Sequence, residues 1–136
     1  MAITIDTSLW IELVRDRSGR VGDAIAQQAG AEQVVMLSPV RMELLQGCRG
    51  DSEWNTLLSR IERFEIACPS PSTWDTAARI YFDLRQRGRS VRSAVDCLIA
   101  ATAIERSLRL LHDDRDFEVI AGACQLCHNR LDTSKA

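Results

Sequence analysis

The chain has 136 residues, of which 46% are hydrophobic and 26% charged, and its formal net charge is −2. This size suits one domain, residues 1–136, with a sizeable core. The overall charge gives no sign of a nucleic-acid-binding surface, and no apolar run reaches the roughly 20 residues that a membrane-spanning helix needs.

Hydrophobic spacing and turn residues predict strands and helices that alternate along the chain. From the N-terminus we predict a strand, two helices, a strand and two more helices at residues 2–6, 8–16, 20–30, 32–38, 39–48 and 52–64. A strand, two helices, a strand, a helix and a last strand follow at residues 64–68, 70–88, 93–107, 108–112, 116–124 and 125–127.

Capping residues and glycines set several of these boundaries. Thr7 and Ser8 are expected to cap the first helix, while Gly30 and Gly88 are expected to end two others. The helix at 93–107 is apolar through its middle and should be buried.

This alternation predicts an α/β domain with a mostly parallel sheet, in which functional sites lie beyond the carboxyl ends of the strands. Asp6 falls at the end of the first strand. Asp113, Asp114 and Asp116 follow the strand at 108–112. Although far apart in sequence, these carboxylates should meet at one edge of the sheet.

Two further acids are candidates for the same site. Asp96 lies in the first turn of the buried helix, at capping-box spacing from Ser93, so it is either a helix cap, a fixed anion or both. Glu43 lies between Met42 and Leu44, where it is either a functional acid or part of a solvated stripe.

Four arginines, Arg85, Arg87, Arg89 and Arg92, lie within eight positions and lead towards Asp96. They fit a solvated helix end, because cations favour a helix C-terminus, and they fit a phosphate-binding strip equally well.

The five cysteines are an odd number with irregular spacing, which is not typical of a secreted disulfide framework. Residues 124–128, CQLCH, have the spacing of a c-type haem attachment site, but that site requires export and MAITIDTSLW is no signal peptide. No second cysteine pair supports zinc. We therefore predict a cytoplasmic protein without haem, whose last strand turns its cysteines to the core.

Together these segments resemble the PIN-domain ribonucleases, specifically the VapC-type toxins of toxin–antitoxin pairs, over nearly the whole length. The matching segments are IDTSLWIEL, LSPVRMELLQG, VRSAVDCLIAATAIE and LLHDDRDFEVI, which carry Asp6, Glu43, Asp96 and Asp114. His112 departs from the pattern, since threonine or serine is common there.

The resemblance implies a PIN-like three-layer sandwich, with helices on both sides of the sheet, and a metal-dependent endoribonuclease. It implies Asp6, Glu43, Asp96 and Asp114 as catalytic residues, with Mg²⁺ or Mn²⁺ held by Asp6, Asp96 and Asp114. Three neighbours are candidates for hydrogen bonds around these ligands, namely Thr7, Ser8 and Asp116. The arginine strip is the candidate RNA-binding element.

Rival functions fit the residues less well. A phosphate-accepting receiver domain needs a lysine at a late strand end, but the single lysine is Lys135. A haloacid-type phosphatase needs Asp-x-Asp after the first strand, whereas Asp6 is followed by Thr7 and Ser8. A non-catalytic RNA- or protein-binding module that retains the acidic pocket is the remaining alternative.

The resemblance also implies a VapB-type antitoxin as partner, and a homodimer or a toxin–antitoxin hetero-oligomer. Apolar residues on helices near the acidic edge are too many for one core and are expected to form a groove for an amphipathic antitoxin segment. They are Leu9, Trp10, Leu13, Val40, Leu44, Trp54 and Leu58.

Overall fold

A computed structural model describes residues 1–135. Five strands lie within this range: β1 (Ile3–Ile5), β2 (Val35–Leu37), β3 (Glu65–Ala67), β4 (Arg109–His112) and β5 (His128–Arg130). The α-helices of the same range are α1 (Thr7–Arg15), α2 (Arg20–Ala29), α3 (Ser38–Gln46), α4 (Asp51–Ile61), α5 (Pro71–Gln86), α6 (Ala94–Glu105) and α7 (Arg115–Ala121).

Every strand pair is parallel, as the alternating pattern predicts. β1 pairs with β4, β4 with β5, and β2 with β3. A parallel bridge between Ile3 and Val34 joins the two sets, so the strands follow the order β3-β2-β1-β4-β5. The carboxyl ends of β1 and β4 therefore lie side by side at the centre of the sheet.

The core lies against the central strands. β1 and β2 are buried along their whole length, and α6 is buried from Cys97 to Ala103 because it presents apolar residues on all sides. The burial of α6 confirms the prediction for this helix. None of the helices within residues 1–135 is long and apolar enough to cross a membrane.

The last strand is not where the sequence predicted it. Residues 125–127 form no strand, and β5 begins at His128. Leu126 is buried and anchors the connecting turn, whereas Cys127 is exposed and Cys124 is only half-buried. The prediction failed because β5 is a polar segment that pairs at the edge of β4, and it carries no apolar alternation.

Candidate active site

The acidic side chains predicted from the sequence gather at the carboxyl ends of β1 and β4. Asp6 follows β1 directly, and Asp114 follows β4 by two residues. The backbone N–H of Asp6 donates to the carbonyl of Leu111 at 3.0 Å, which holds the two strand ends together. Asp96 joins them from the first turn of α6, and Glu43 comes from α3.

The side chain of Asp6 caps α1. Its carboxylate accepts the backbone N–H groups of Leu9 at 3.0 Å and Ser8 at 3.3 Å. The prediction that Thr7 and Ser8 cap this helix is therefore wrong, since both follow the capping residue. An aspartate at the cap satisfies free backbone donors of the first turn and favours the helix dipole.

The carboxylates of Asp96, Asp114 and Asp116 form what we call the acidic cluster, in which one oxygen from each residue lies within 4.8 Å of the other two. Asp114 caps α7, accepting the backbone N–H of Asp116 at 2.9 Å. The sequence predicted a metal set of Asp6, Asp96 and Asp114, with Asp116 behind it. The structure brings Asp116 into the cluster and leaves Asp6 beside it.

Burial raises the pKa of two carboxyls, Asp6 and Asp96, to about 7. The negative charges of Asp114 and Asp96 add to the effect of burial on Asp6, although the two capping hydrogen bonds oppose it. For Asp96, the charges of Asp114, Glu43 and Asp116 add to the effect of burial. A cation at this edge would favour the ionised forms of both carboxyls.

The start of α6 is capped by Ser93 alone. The Ser93 hydroxyl accepts the backbone N–H of Val95 at 3.1 Å. Across residues 1–135, no hydrogen bond ties the Asp96 carboxylate to the backbone of Ser93, so the reciprocal capping box suggested by the spacing is not formed. The Asp96 side chain belongs to the acidic cluster instead.

Glu43 is held by a neighbour of Asp6. The Thr7 hydroxyl donates to Glu43 Oε1 at 2.6 Å, which links the start of α1 to α3. Ser8 contributes its backbone N–H to Asp6, while its side chain is exposed. Thr7 is thus the neighbour that orients a second acid of the site.

The four arginines make different contacts. Arg92 is the member that reaches the acidic cluster, with Nη2 at 3.0 Å from Asp114 and Nε at 3.2 Å from Asp116. Arg87 donates to the carbonyl of Gly122, at the end of α7. The other two lie on the surface, where Arg85 sits 5.9 Å from the centre of the Tyr81 ring and the side chain of Arg89 is exposed.

His112 is the residue of this site whose role the sequence did not reveal. It is fully buried at the end of β4, and its Nδ1 accepts the backbone N–H of Asp114 at 3.2 Å. Burial, with a smaller effect from His128, lowers the pKa of His112 to about 4. The sequence does show one sign of this role, because His112 ends a predicted strand two residues before Asp114, a candidate metal ligand.

Apolar residues near the acidic edge divide between core and surface. Four of the seven expected in a groove are buried in the core: Leu9, Trp10, Val40 and Leu44. Trp54 is 42% exposed, and Leu13 and Leu58 are half-buried. The larger part of this set therefore belongs to the core, because the helices bearing it pack against one another.

Two cavities nevertheless lie on this side of the molecule. One of about 360 Å³ is bounded by α1, α2 and α4, and one of about 330 Å³ by α1, α3 and α4. Val14 and Leu57 line both, so the two cavities are neighbours, and we call them together the groove. The cavity between α1, α3 and α4 is also lined by Glu43, so the groove lies next to the acidic edge.

The donor set of the acidic cluster consists of carboxylate oxygens, which are the ligands that hard divalent cations prefer. Arg92 makes ion pairs with Asp114 and Asp116 of this cluster, and its side chain is 79% exposed. The residues present therefore fit a cation such as Mg²⁺ or Mn²⁺.

Comparison with known proteins gives the same family as the motifs. A family model for the PIN domain matches residues 3–123. The ribonuclease VapC11 of Mycobacterium tuberculosis is 39% identical over 127 residues, covering 88% of this chain and 91% of the relative.

Solved structures share the fold. VapBC2 from Rickettsia felis, bound to a DNA fragment from its promoter, superposes with a TM-score of 0.80 at 19% identity and covers 97% of this chain and 100% of that one. VapBC-1 from nontypeable Haemophilus influenzae superposes with a TM-score of 0.76 at 21% identity, covering 96% and 98%. These likenesses confirm the α/β architecture with a parallel sheet.

Proposed function

This chain belongs to the PIN-domain family and, within it, to the VapC ribonucleases, and we propose that it is an endoribonuclease toxin that hydrolyses RNA phosphodiester bonds with a divalent cation. The observation that carries the proposal is the acidic cluster, in which Asp96, Asp114 and Asp116 bring three oxygens within 4.8 Å of one another. We further propose that residues 1–136 are a single PIN domain.

The acids of the proposed site have different roles. Asp96 and Asp114 would hold the cation, with Asp116 beside them and Asp6 and Glu43 completing the site directly or through water. Mg²⁺ or Mn²⁺ would neutralise a phosphate oxygen and lower the pKa of a bound water.

The remaining side chains keep this arrangement in place. Asp6 is held beside the acidic cluster because its carboxylate accepts the backbone N–H groups of Leu9 and Ser8 at the start of α1. Thr7 fixes the orientation of Glu43 through its 2.6 Å hydrogen bond.

Mapping the ends of RNA fragments tests this function against a binding module that merely retains an acidic pocket. Pure protein, incubated with total RNA and Mg²⁺, is expected to produce discrete internal cuts. Protein carrying Asp114→Asn, prepared in parallel, controls for contaminating nucleases. Intact RNA with the wild-type protein, or equal cutting by both, would leave the binding module as the better account.

Arg92 is expected to contact the RNA backbone beside the site. Once a cation neutralises Asp114 and Asp116, the exposed guanidinium of Arg92 is available to a phosphate. Arg92→Gln should therefore weaken binding of a 2′-O-methyl RNA that resists cleavage. The slope of log affinity against log salt should fall by about 0.7, the value for one phosphate contact on a single strand.

Arg79→Gln is the matched control, because Arg79 pairs with Asp83 on α5 at 3.0 Å and makes no contact with the acidic cluster. An unchanged salt slope for Arg92→Gln would show that Arg92 serves the acidic cluster alone. Arg85, Arg87 and Arg89 remain candidates for weaker contacts.

A VapB-type antitoxin is the partner that we propose for the groove on α1. VapBC structures pair this fold with such partners, and the groove here is lined by apolar side chains of α1 and by Glu43. An amphipathic segment would lay its apolar face on Val14 and Leu57. A basic side chain at its end would pair with the carboxylates.

Val14→Asp is expected to lower antitoxin affinity at least about tenfold without lowering the unfolding temperature, because Val14 is 45% exposed and lines both cavities. Affinity is measured by calorimetry with the cognate antitoxin. Trp54→Ser is the control, since Trp54 is exposed on α4 but lines neither cavity. Equal affinity losses in both variants would remove the groove as the docking surface.

A further inference from the structure

The chain that follows α7 returns to the turn that carries Asp114. The backbone N–H of Leu131 donates to the carbonyl of His112 at 2.7 Å. The guanidinium of Arg130 donates to Asp113 at 3.1 Å, and Thr133 donates to the same carboxylate through its backbone N–H and its hydroxyl at 3.1 and 2.9 Å. Residues 128–133 thus fix the turn at 112–114 from outside.

A pair of histidines fixes the same turn from within. His112 is fully buried, and its ring packs on Phe117 with centroids 5.1 Å apart. The ring of His128 on β5 lies edge to edge with that of His112, with the ring centres also 5.1 Å apart. The imidazole atoms His112 Nε2 and His128 Nδ1 lie 2.9 Å apart.

The hydrogen bonds decide where the proton of His112 lies. Its Nδ1 accepts from the backbone N–H of Asp114, so that atom carries a lone pair and the ring proton is on Nε2. The Nε2–H then donates to His128 Nδ1. His128 therefore holds His112 in the tautomer that accepts from Asp114.

The bond between His112 and Asp114 is the kind that a turn-forming side chain makes. A side-chain acceptor at one position receives the N–H two residues on, as asparagine does in an Asx-turn and threonine does in an ST-turn. In this chain an imidazole nitrogen takes the place of that oxygen. The bond orients the backbone of Asp114, while Arg92 and the backbone of Asp116 occupy its two carboxylate oxygens.

We propose that His112, held in its tautomer by His128, is a positioning residue that sets the orientation of Asp114 in the acidic cluster. This makes β5 part of the site, although it lies beyond residue 123, where the match to the family model ends. The inference rests on the proposed role of Asp114 in holding the cation. Partners of metal ligands commonly change metal affinity 10- to 100-fold when removed.

Mn²⁺ binding to the full chain, measured by electron paramagnetic resonance without RNA, tests the proposal. His112→Leu fills the buried site with an apolar side chain but removes the acceptor, and should raise the Mn²⁺ dissociation constant about tenfold. His112→Asn restores an acceptor at the position of Nδ1 and should stay within about threefold of wild type. His128→Phe keeps an aromatic ring beside His112 but loses the acceptor, and should weaken Mn²⁺ binding in the same direction.

Two results would overturn the proposal. The first is Mn²⁺ affinity for His112→Leu equal to that of wild type. The second is an equal loss for His112→Leu and His112→Asn, which would indicate a packing role alone. If His112→Leu does not fold, His112→Asn and His128→Phe still decide the matter, because only an acceptor role predicts that the first binds Mn²⁺ normally and the second weakly.

Asp96→Asn is the control that tests the metal site itself. If Asp96→Asn binds Mn²⁺ as wild type does, the proposed metal site itself is wrong. If Asp96→Asn loses binding while both His112 variants retain it, the metal site stands and only the positioning role is wrong.

Discussion

Asp96→Asn is expected to abolish RNA cleavage, by about three orders of magnitude or more, while making the metal-free protein more stable. Cleavage fails because the cluster loses a ligand that holds the cation, and metal assistance supplies several kcal/mol of transition-state stabilisation. Stability rises because burial and the neighbouring charges of Asp114, Glu43 and Asp116 raise the pKa of Asp96 to about 7, and a neutral amide removes that penalty.

Cleavage is followed with a labelled RNA at saturating Mg²⁺, and stability by thermal unfolding in a chelator. Asp23→Asn is the matched control, because Asp23 also lies in the first turn of a helix, α2, but is exposed. Near-normal cleavage by pure Asp96→Asn protein would exclude Asp96 as a metal ligand. A large stability loss in the variant would contradict the electrostatic account.

The metal-free protein is expected to lose stability as pH rises from about 4 to about 7, because Asp6 is a buried acid with a raised pKa. Folded Asp6 keeps its proton up to a pKa of about 7, whereas the unfolded chain releases it near 3.8. Its stabilising contribution is therefore complete below 3.8 and is lost as pH rises through 7. At about 1.4 kcal/mol for each unit of pKa shift, the loss amounts to a few kcal/mol.

The contribution of Asp6 is isolated by comparison with Asp6→Asn, since asparagine caps a helix about as well as aspartate. This subtraction is needed because the pKa of His112 is lowered to about 4, and that group opposes the trend by losing stability as pH falls from 6.5. Urea unfolding at pH 4.5 and 7.5, in a chelator, should show the wild type losing stability relative to Asp6→Asn. A parallel pH dependence in both proteins would rule out a raised pKa for Asp6.

The elements that depend on local patterning could be predicted from the sequence. α6 is apolar on every side, so its burial followed from composition, and Asp6 and Asp114 could be placed together because parallel strand ends meet. The alternation of strands and helices up to β4, and the parallel pairing of the strands, also followed from the hydrophobic pattern. These features depend on periodicity, which a single sequence displays directly.

Contacts between distant segments could not be predicted in the same way. β5 is a polar strand, so no hydrophobic pattern marks it, and His128 is recognisable as a partner of His112 only once β5 lies beside β4. The pairing of Arg92 with Asp114 and Asp116 likewise depends on how the loop before α6 meets α7. The sequence placed arginines near the site but could not select the one that reaches it.

The sequence also could not show which apolar residues are buried in the core and which line the groove. Trp10 and Trp54 both lie on amphipathic helices, yet the first is 7% exposed and the second 42%. Helix periodicity defines an apolar stripe, but neighbouring helices decide how much of it is covered. The groove along Val14 is the part that remains uncovered.

We propose that the acidic cluster holds a divalent cation without which RNA is not cleaved. This proposal is tested most directly by the cleavage rate of pure protein on one labelled RNA, first in EDTA and then after Mg²⁺ or Mn²⁺ is restored. We expect no cleavage in EDTA and full recovery with either ion, and no recovery for Asp96→Asn. Cleavage by the wild-type protein that continues unchanged in EDTA would contradict the account.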